Sequence, residues 1–250
     1  MAFVNFATRD SAFIVPANDR LHCPDSEEVL KAFNTWAFKR EQPSDISLLR
    51  SFVSRAVRQE EPVSFIAYWG KGPRDEIADP DLQCLQYLQQ MMRRIDSIHK
   101  PGSELHLVLT DSHARLNGHK ARSINKYFKS VEAAAHRHGF SSWRLQALTK
   151  SMQPALKMIT SQNMEHPKEL LIELEKSAAK WYQGGKSVDV GAKLYFDMNM
   201  VERRVIERIF STSIFITFNS SDMRVLFPNK LPVFYMYSMK KGVGVKPWFQ

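Results

Sequence analysis

An α/β fold, a Rossmann-like parallel sheet with helices on both faces, is what three features of this 250-residue chain predict. Residues 63–69 (VSFIAYW) and 105–109 (LHLVL) are short apolar runs of the kind that form strands buried on both faces. Each stops at a turn, GKGP at 70–73 and TDSH at 110–113. Between them, Leu82, Leu85, Leu88, Met92 and Ile95 recur at helical spacing. Strand, helix and strand in that order imply a right-handed parallel crossover.

The other elements follow along the chain. Residues 1–60 read as an N-terminal helical region, with helices over 27–38, capped by Asp25 or Ser26, and over 46–57. Pro101-Gly102 turns the chain into the second strand, which ends in a polar loop. Gly118 then opens a long helical pattern with Ile124, Phe128, Val131 and Ala135 on one stripe. Residues 143–148 read as a third strand. A polar helical stretch over 151–181 is broken at His166-Pro167, and another helix covers 194–210. Strands at 213–218 (SIFITF) and 233–237 (VFYMY) flank a turn around Leu226-Phe227-Pro228. With no repeat or linker, residues 1–250 read as one α/β domain, with the Rossmann-like core over 61–250.

Composition narrows the classes. Lys and Arg number 35 against 26 acids, a formal charge of +9 and a pI near 9.5, which suits a nucleic acid or a phosphorylated metabolite. Two distant cysteines, Cys23 and Cys84, exclude a cysteine-rich zinc site and disfavour a disulfide framework. Cys84 lies in a helical pattern and reads as a small buried residue. No secretory leader or membrane-length apolar run is evident, so a soluble, cytoplasmic protein with no membrane partner is expected.

The chemistry concentrates at strand ends, where α/β sheets bind ligands. After the first strand, Gly70 allows close backbone approach, and Lys71, Arg74 and Asp75 offer charges for a phosphate, carboxylate or amine. The spacing there fits neither GxGxxG nor a P-loop. GGKS at 184–187 also fails, because Lys180 stands where the first glycine belongs, so nucleotide hydrolysis is disfavoured. After the second strand come Asp111, His113 and Asn117, read as substrate contacts. Asn219 and Ser238 follow the two late strands at the same sheet edge. Tyr195, Asn199 and Glu202 share one helical face and could position an amine and relay a proton; the bland alternative pairs Glu202 with Arg203 or Arg204. Asp75, Glu76, Asp79 and Asp81 form an acidic cluster suited either to a helix N-terminus or to a cationic substrate group. From His119 to His138, Glu132 is the only acid against five Lys/Arg and three His, the footprint of a polyanion-binding helix. His136 and His138 read as capping groups at its end.

Two family resemblances follow from these residues. Residues 108–117 (VLTDSHARLN) look like the strand-loop of tyrosyl- and tryptophanyl-tRNA synthetases, with D-x-H-A and a nearby Asn. The basic helix beginning near Gly118-His119-Lys120-Ala121-Arg122 is similar to the tRNA-binding helix of tRNA-dependent cyclodipeptide synthases, including their arginine-using branch. That resemblance implies a class I synthetase-like fold and an aminoacyltransferase of secondary metabolism. Aminoacyl-tRNA would be the partner, docked by Lys120, Arg122, Lys126 and Lys129, with Tyr195 and Glu202 catalytic and Asn199 beside them. The familiar bacterial members carry an acyl-accepting serine just after strand one, where this chain has Gly70-Lys71-Gly72.

The second resemblance is to isonitrile synthases of the pyoverdine/dityrosine biosynthesis family. It rests on Pro62-Val63-Ser64-Phe65, Pro80-Asp81-Leu82, the run from Pro101 to Asp111, and Lys246-Pro247-Trp248. It implies conversion of an amino-acid amine using a sugar phosphate, held by Lys71, Arg74, Lys240 and Lys241. The family's glycine after the strand-end Asp is Ser112 here. The cyclodipeptide reading ranks first and the isonitrile reading second. A non-catalytic RNA-binding module is the third. No metal or organic cofactor is indicated, and the sequence leaves the oligomeric state and the amino acids used open.

Overall fold

The computed structural model describes residues 25–70, 76–152 and 166–237. The elements are α1 (Ser26–Phe33), α2 (Ile46–Gln59), β1 (Val63–Trp69), α3 (Asp79–Asp96), β2 (Ser103–Leu109), α4 (Asp111–Leu116), α5 (Ala121–Arg137) and β3 (Ser141–Arg144). Then come α6 (Leu145–Ser151), α7 (Lys168–Trp181), α8 (Val188–Ile209), β4 (Ile214–Thr217), a 3-10 turn (Ser221–Leu226) and β5 (Val233–Tyr235).

All five strands are parallel, in the order β3-β2-β1-β4-β5. Successive side chains of a strand point to opposite faces, and both faces are dry here. Phe65, Ala67, Leu105, Leu107, Ile214, Ile216 and Phe234 face one core with α1, α2, α3 and α5. Ile66, Val108, Phe215, Val233 and Tyr235 face the other with α6, α7 and α8. This is the predicted α/β architecture with helices on both faces. The N-terminal helices belong to the first core, where the Phe33 ring meets Phe65 edge-on at 5.2 Å. Cys84 is buried there too, as read from the sequence.

Several boundaries differ from those expected. The first helix stops at Phe33 rather than residue 38, because the chain beyond it becomes a strap along β5, with Lys39 bridging Met236 and the Arg40 amide bonded to the Tyr235 carbonyl at 2.8 Å. The expected third strand ends at Arg144. From Leu145 the chain is helical, because the Asp111 carboxylate accepts the Gln146 amide at 2.8 Å and satisfies an orphan donor at the start of α6. The expected polar loop at 110–113 is the start of the short helix α4. Gly118 (φ +75°) makes the turn before α5, which starts at Ala121. The late helix begins six residues earlier than expected, at Val188 against residue 194.

Strand order reverses between β1 and β4. The chain builds β1, β2 and β3 outward in one direction and β4 and β5 in the other. At such a switch point the connections leave the carboxyl ends of the two central strands in opposite directions and open a crevice between them.

Candidate functional site

The crevice is present. Tyr68, Gly70 and Thr110 line it from the ends of β1 and β2, Phe215 through Asn219 from β4, Met223, Leu226 and Phe227 from the 3-10 turn, and Asn199 from α8. Thr110 seams β1 to β2 at its floor: its amide bonds to the Trp69 carbonyl at 3.1 Å, and its hydroxyl donates to the Trp69 and Gly70 carbonyls. Gly70 takes φ +70°, a conformation that favours glycine, while a Cβ there would reach only ordinary contact with the rings of Phe128 and Tyr127 at 3.4 and 3.5 Å.

Beside the crevice, α8 and α4 bring together a buried polar constellation. Glu202 is 2% exposed and His113 is 1% exposed, and their Oε2 and Nε2 lie 2.6 Å apart. The Ser112 hydroxyl donates to the second Glu202 oxygen at 2.9 Å. A buried carboxylate is stable only when its lone pairs are met, and here two residues of one short helix meet them. Nδ1 of His113 is buried and meets no hydrogen-bond partner among the described residues. One turn away, the Tyr195 hydroxyl donates to Asn117 Oδ1, and the Tyr195 ring stacks near His113 at 6.4 Å. Burial, then the neighbouring Tyr182, pushes the Tyr195 phenol up to about 12.

Asn199 links constellation and crevice. Its Nδ2 donates to the Tyr195 carbonyl at 2.6 Å, leaving Oδ1 as the amide atom able to meet a ligand. Tyr68 is the second link. Its ring packs edge-on against Phe215 at 5.2 Å, and its phenol is held well above 10 by burial, then by Glu202 and Glu207, partly offset by Arg203. The phenol therefore stays protonated and is a hydrogen-bond donor at the crevice wall.

The sequence-selected residues separate into groups. Gly70, Asn199 and Asn219 line the crevice. Tyr195, Glu202, His113 and Asn117 meet one another but stand outside its lining. Glu202 pairs with His113 and Ser112, while Arg203 turns to the Val225 carbonyl at 3.0 Å. Asp111 is a correction: its Oδ1 accepts the Ser112 and Gln146 amides, so it organises α4 and α6. In the acidic cluster, Asp81 takes the helix-N-terminus alternative. Asp81 accepts from the Tyr127 hydroxyl and the Ala78 amide at the start of α3, and Glu76 pairs with Lys126 at 2.8 Å, so these carboxylates do not converge on one guest. Lys71, Arg74, Asp75 and Ser238, with the basic tail and most of the Met-rich stretch at 152–164, lie outside the described residues.

On α5, Lys120, Arg122, Lys126 and Lys129 are exposed, and Glu132 pairs with Arg144 across to β3. His138 Nδ1 lies 2.9 Å from the Ala134 carbonyl, as a capping role requires. Sequence reasoning missed Tyr68, Thr110 and Ser112 as site residues. Tyr68 is hidden in an apolar run, and its only signal is its place two residues before a strand-end glycine. A second hollow at the amino-terminal edge, lined in part by Arg55, Glu61, Ser64 and Glu104, lies on the edge where such sheets do not ordinarily bind ligands.

Among the described residues, no cluster of His, Cys, Asp and Glu has metal-binding geometry, and no helix is long and apolar enough to cross a membrane. No protein-family model matches the sequence, and no curated protein matches it. Solved structures do match. The chain is similar to the PvcA protein from Pseudomonas aeruginosa, with a TM-score of 0.64 over 89% of this chain and 87% of that one, at 14% identity. Likeness at that identity establishes the fold.

Proposed function

We propose that this chain is a biosynthetic enzyme of the isonitrile-synthase type, converting an amino-acid amine with a sugar phosphate in the β1/β4 crevice. The observation that carries the reading is the crevice itself, a partly apolar pocket at the switch point with a protonated Tyr68 and a free Asn199 oxygen on its wall. Glu202, buried against His113 and Ser112 behind the crevice lining, stands close enough to raise the Tyr68 phenol and so acts on the crevice through Tyr68. Tyr195 and Asn117 hold that arrangement in place. The fold likeness to PvcA spans nearly the whole chain and falls on the side of the pyoverdine-type resemblance. The reading treats residues 1–250 as a single domain.

A second reading keeps aminoacyl-tRNA as the substrate, and one observation favours it: the exposed basic face of α5, on which Arg122 and Lys129 meet no carboxylate among the described residues. Untargeted mass spectrometry of bacterial extracts separates the two, comparing the wild-type chain with Glu202→Gln. An isonitrile derived from an amino acid, lost in the variant, is the expected result. A cyclic dipeptide would transfer the assignment to the tRNA-dependent reading, and no new mass in repeated hosts would remove both.

A further inference from the structure

The strap after α1 carries a residue to the crevice that the sequence did not single out. Its backbone runs along the outer edge of β5: the Arg40 amide donates to the Tyr235 carbonyl at 2.8 Å and the Tyr237 amide to the Phe38 carbonyl at 2.7 Å. Tyr87 from α3 clamps its start by donating to the Ala37 carbonyl at 2.8 Å. Glu41 fastens its end, with one oxygen accepting the Ser221 amide at 3.0 Å and the other the Ser221 hydroxyl at 2.8 Å. Ser221 opens the 3-10 turn whose Met223 and Leu226 wall the crevice. The strap is thus held at both ends of residues 37–41, and its Glu41 end is tied to the turn that walls the crevice.

Arg40 leaves the strap beside Phe218, which lines the crevice. Its Nη1 leans on the carbonyl of Phe218, at 3.5 Å, a long contact, and among the described residues its other donors meet no side chain. The neighbouring carboxylate in the chain, Glu41, is engaged with Ser221, and Asp222 of the same turn accepts from the Ser220 hydroxyl at 2.9 Å. Among the described residues no carboxylate pairs with Arg40. Lys39 beside it also meets no carboxylate among the described residues, its ammonium placed between Gln42 and the Trp36 ring, so positive charge accumulates along this rim. An exposed guanidinium held by its backbone presents a planar fork that matches a phosphate oxygen pair.

We propose that Arg40 receives the phosphate monoester of the sugar-phosphate substrate at the mouth of the β1/β4 crevice; this rests on the isonitrile-synthase-type reading above. The strap fixes the backbone of Arg40, so binding has to order only its side chain.

The test is direct binding, independent of turnover. Isothermal titration of the full chain with ribose 5-phosphate, and with ribose as its uncharged counterpart, compares wild type with Arg40→Gln and Arg40→Lys. Gln keeps a donor for the Phe218 carbonyl while removing the charge. The wild type should bind ribose 5-phosphate in preference to ribose. Arg40→Gln should weaken the phosphate ester by about 10- to 100-fold and leave ribose unchanged, and Arg40→Lys should fall between. If Arg40→Gln lowers the thermal midpoint, the Arg40→Lys comparison carries the test, since it retains charge and loses only the fork. Wild-type preference for the phosphate with both variants unaffected would overturn the role of Arg40 and leave the sugar-phosphate reading standing. A wild type indifferent to the phosphate would overturn both.

Discussion

Two helices stand out in the sequence for their polar residues, α5 and α8, and the structure uses them in opposite ways. The cations of α5 face solvent, and its inward stripe of Ile124, Phe128, Val131 and Ala135 is apolar. On α8 the polar residues Tyr195, Asn199 and Glu202 are themselves buried, among apolar residues such as Phe196 and Val205 that pack toward the sheet. An exposed charge is free to form and break pairs at little cost. A buried one must be matched by named partners, and those partners came from α4, across the switch point. Burial of unmatched or specifically matched polar groups, more than charge density, is what separates a candidate site from a solvated face.

Substitutions can break that contrast, beginning with the largest expected effect. Glu202→Ala leaves His113 buried with both ring nitrogens unmet and strands the Ser112 hydroxyl, and should destabilise by about 3–5 kcal/mol. Chemical denaturation measures it. Replacing Glu202 and His113 together by Leu should recover much of the loss, because an apolar pair needs no partners. A Glu202→Ala protein as stable as wild type would mean that the pair is not formed.

Tyr195→Phe removes one hydrogen bond and deprives Asn117 Oδ1 of that donor, for an expected loss of about 1–3 kcal/mol. The same residue sets a pH dependence. Its folded value, about 12, lies above the unfolded value near 10, so its contribution is complete below pH 10 and lost as pH rises toward 12. Tyr68, raised in the same direction by burial, adds to the alkaline loss. Alkaline titration followed by circular dichroism should therefore show Tyr195→Phe losing less stability between pH 10 and 12 than wild type. Equal losses would refute the assignment.

Tyr127→Phe probes the inward side of α5, where the Trp69 indole donates to the Tyr127 hydroxyl at 3.3 Å and that hydroxyl donates to Asp81 at 2.9 Å. Asp81 keeps the Ala78 amide, so the expected cost is smaller, about 0.5–1.5 kcal/mol. Arg122→Glu with Lys129→Glu on the exposed face should change stability by about 0.5 kcal/mol or less. Product formation should also be unchanged under the isonitrile reading, whereas loss of turnover would favour docking of tRNA.

The elements that sequence reasoning recovered are those whose apolar pattern is unbroken. β1, β2 and α3 follow from 63–69, 105–109 and the stripe from Leu82 to Ile95. Those it misread contain buried polar residues. α4 reads as a loop because Asp111 and His113 occupy its inward positions, where an amphipathic helix would place apolar ones. Leu145 and Leu148 fit a strand or a helix equally, and only the distant Asp111 decides for a helix. In the site, the spacing of Tyr195, Asn199 and Glu202 disclosed a shared face, but it could not disclose that Ser112 and His113 would meet Glu202 from 90 and 89 residues away. Arg40 was invisible for the same reason: its position depends on a strap that forms only when β5 is present to pair with it.

The central claim is that substrate sits in the β1/β4 crevice. Saturation-transfer NMR with individual amino acids, run on wild type and on a crevice-filling Met223→Trp variant of matched stability, tests it most directly. The account predicts that at least one amino acid receives saturation from the wild type and that the signal disappears in the variant. Equal signals from both proteins would place the binding site elsewhere and contradict the account.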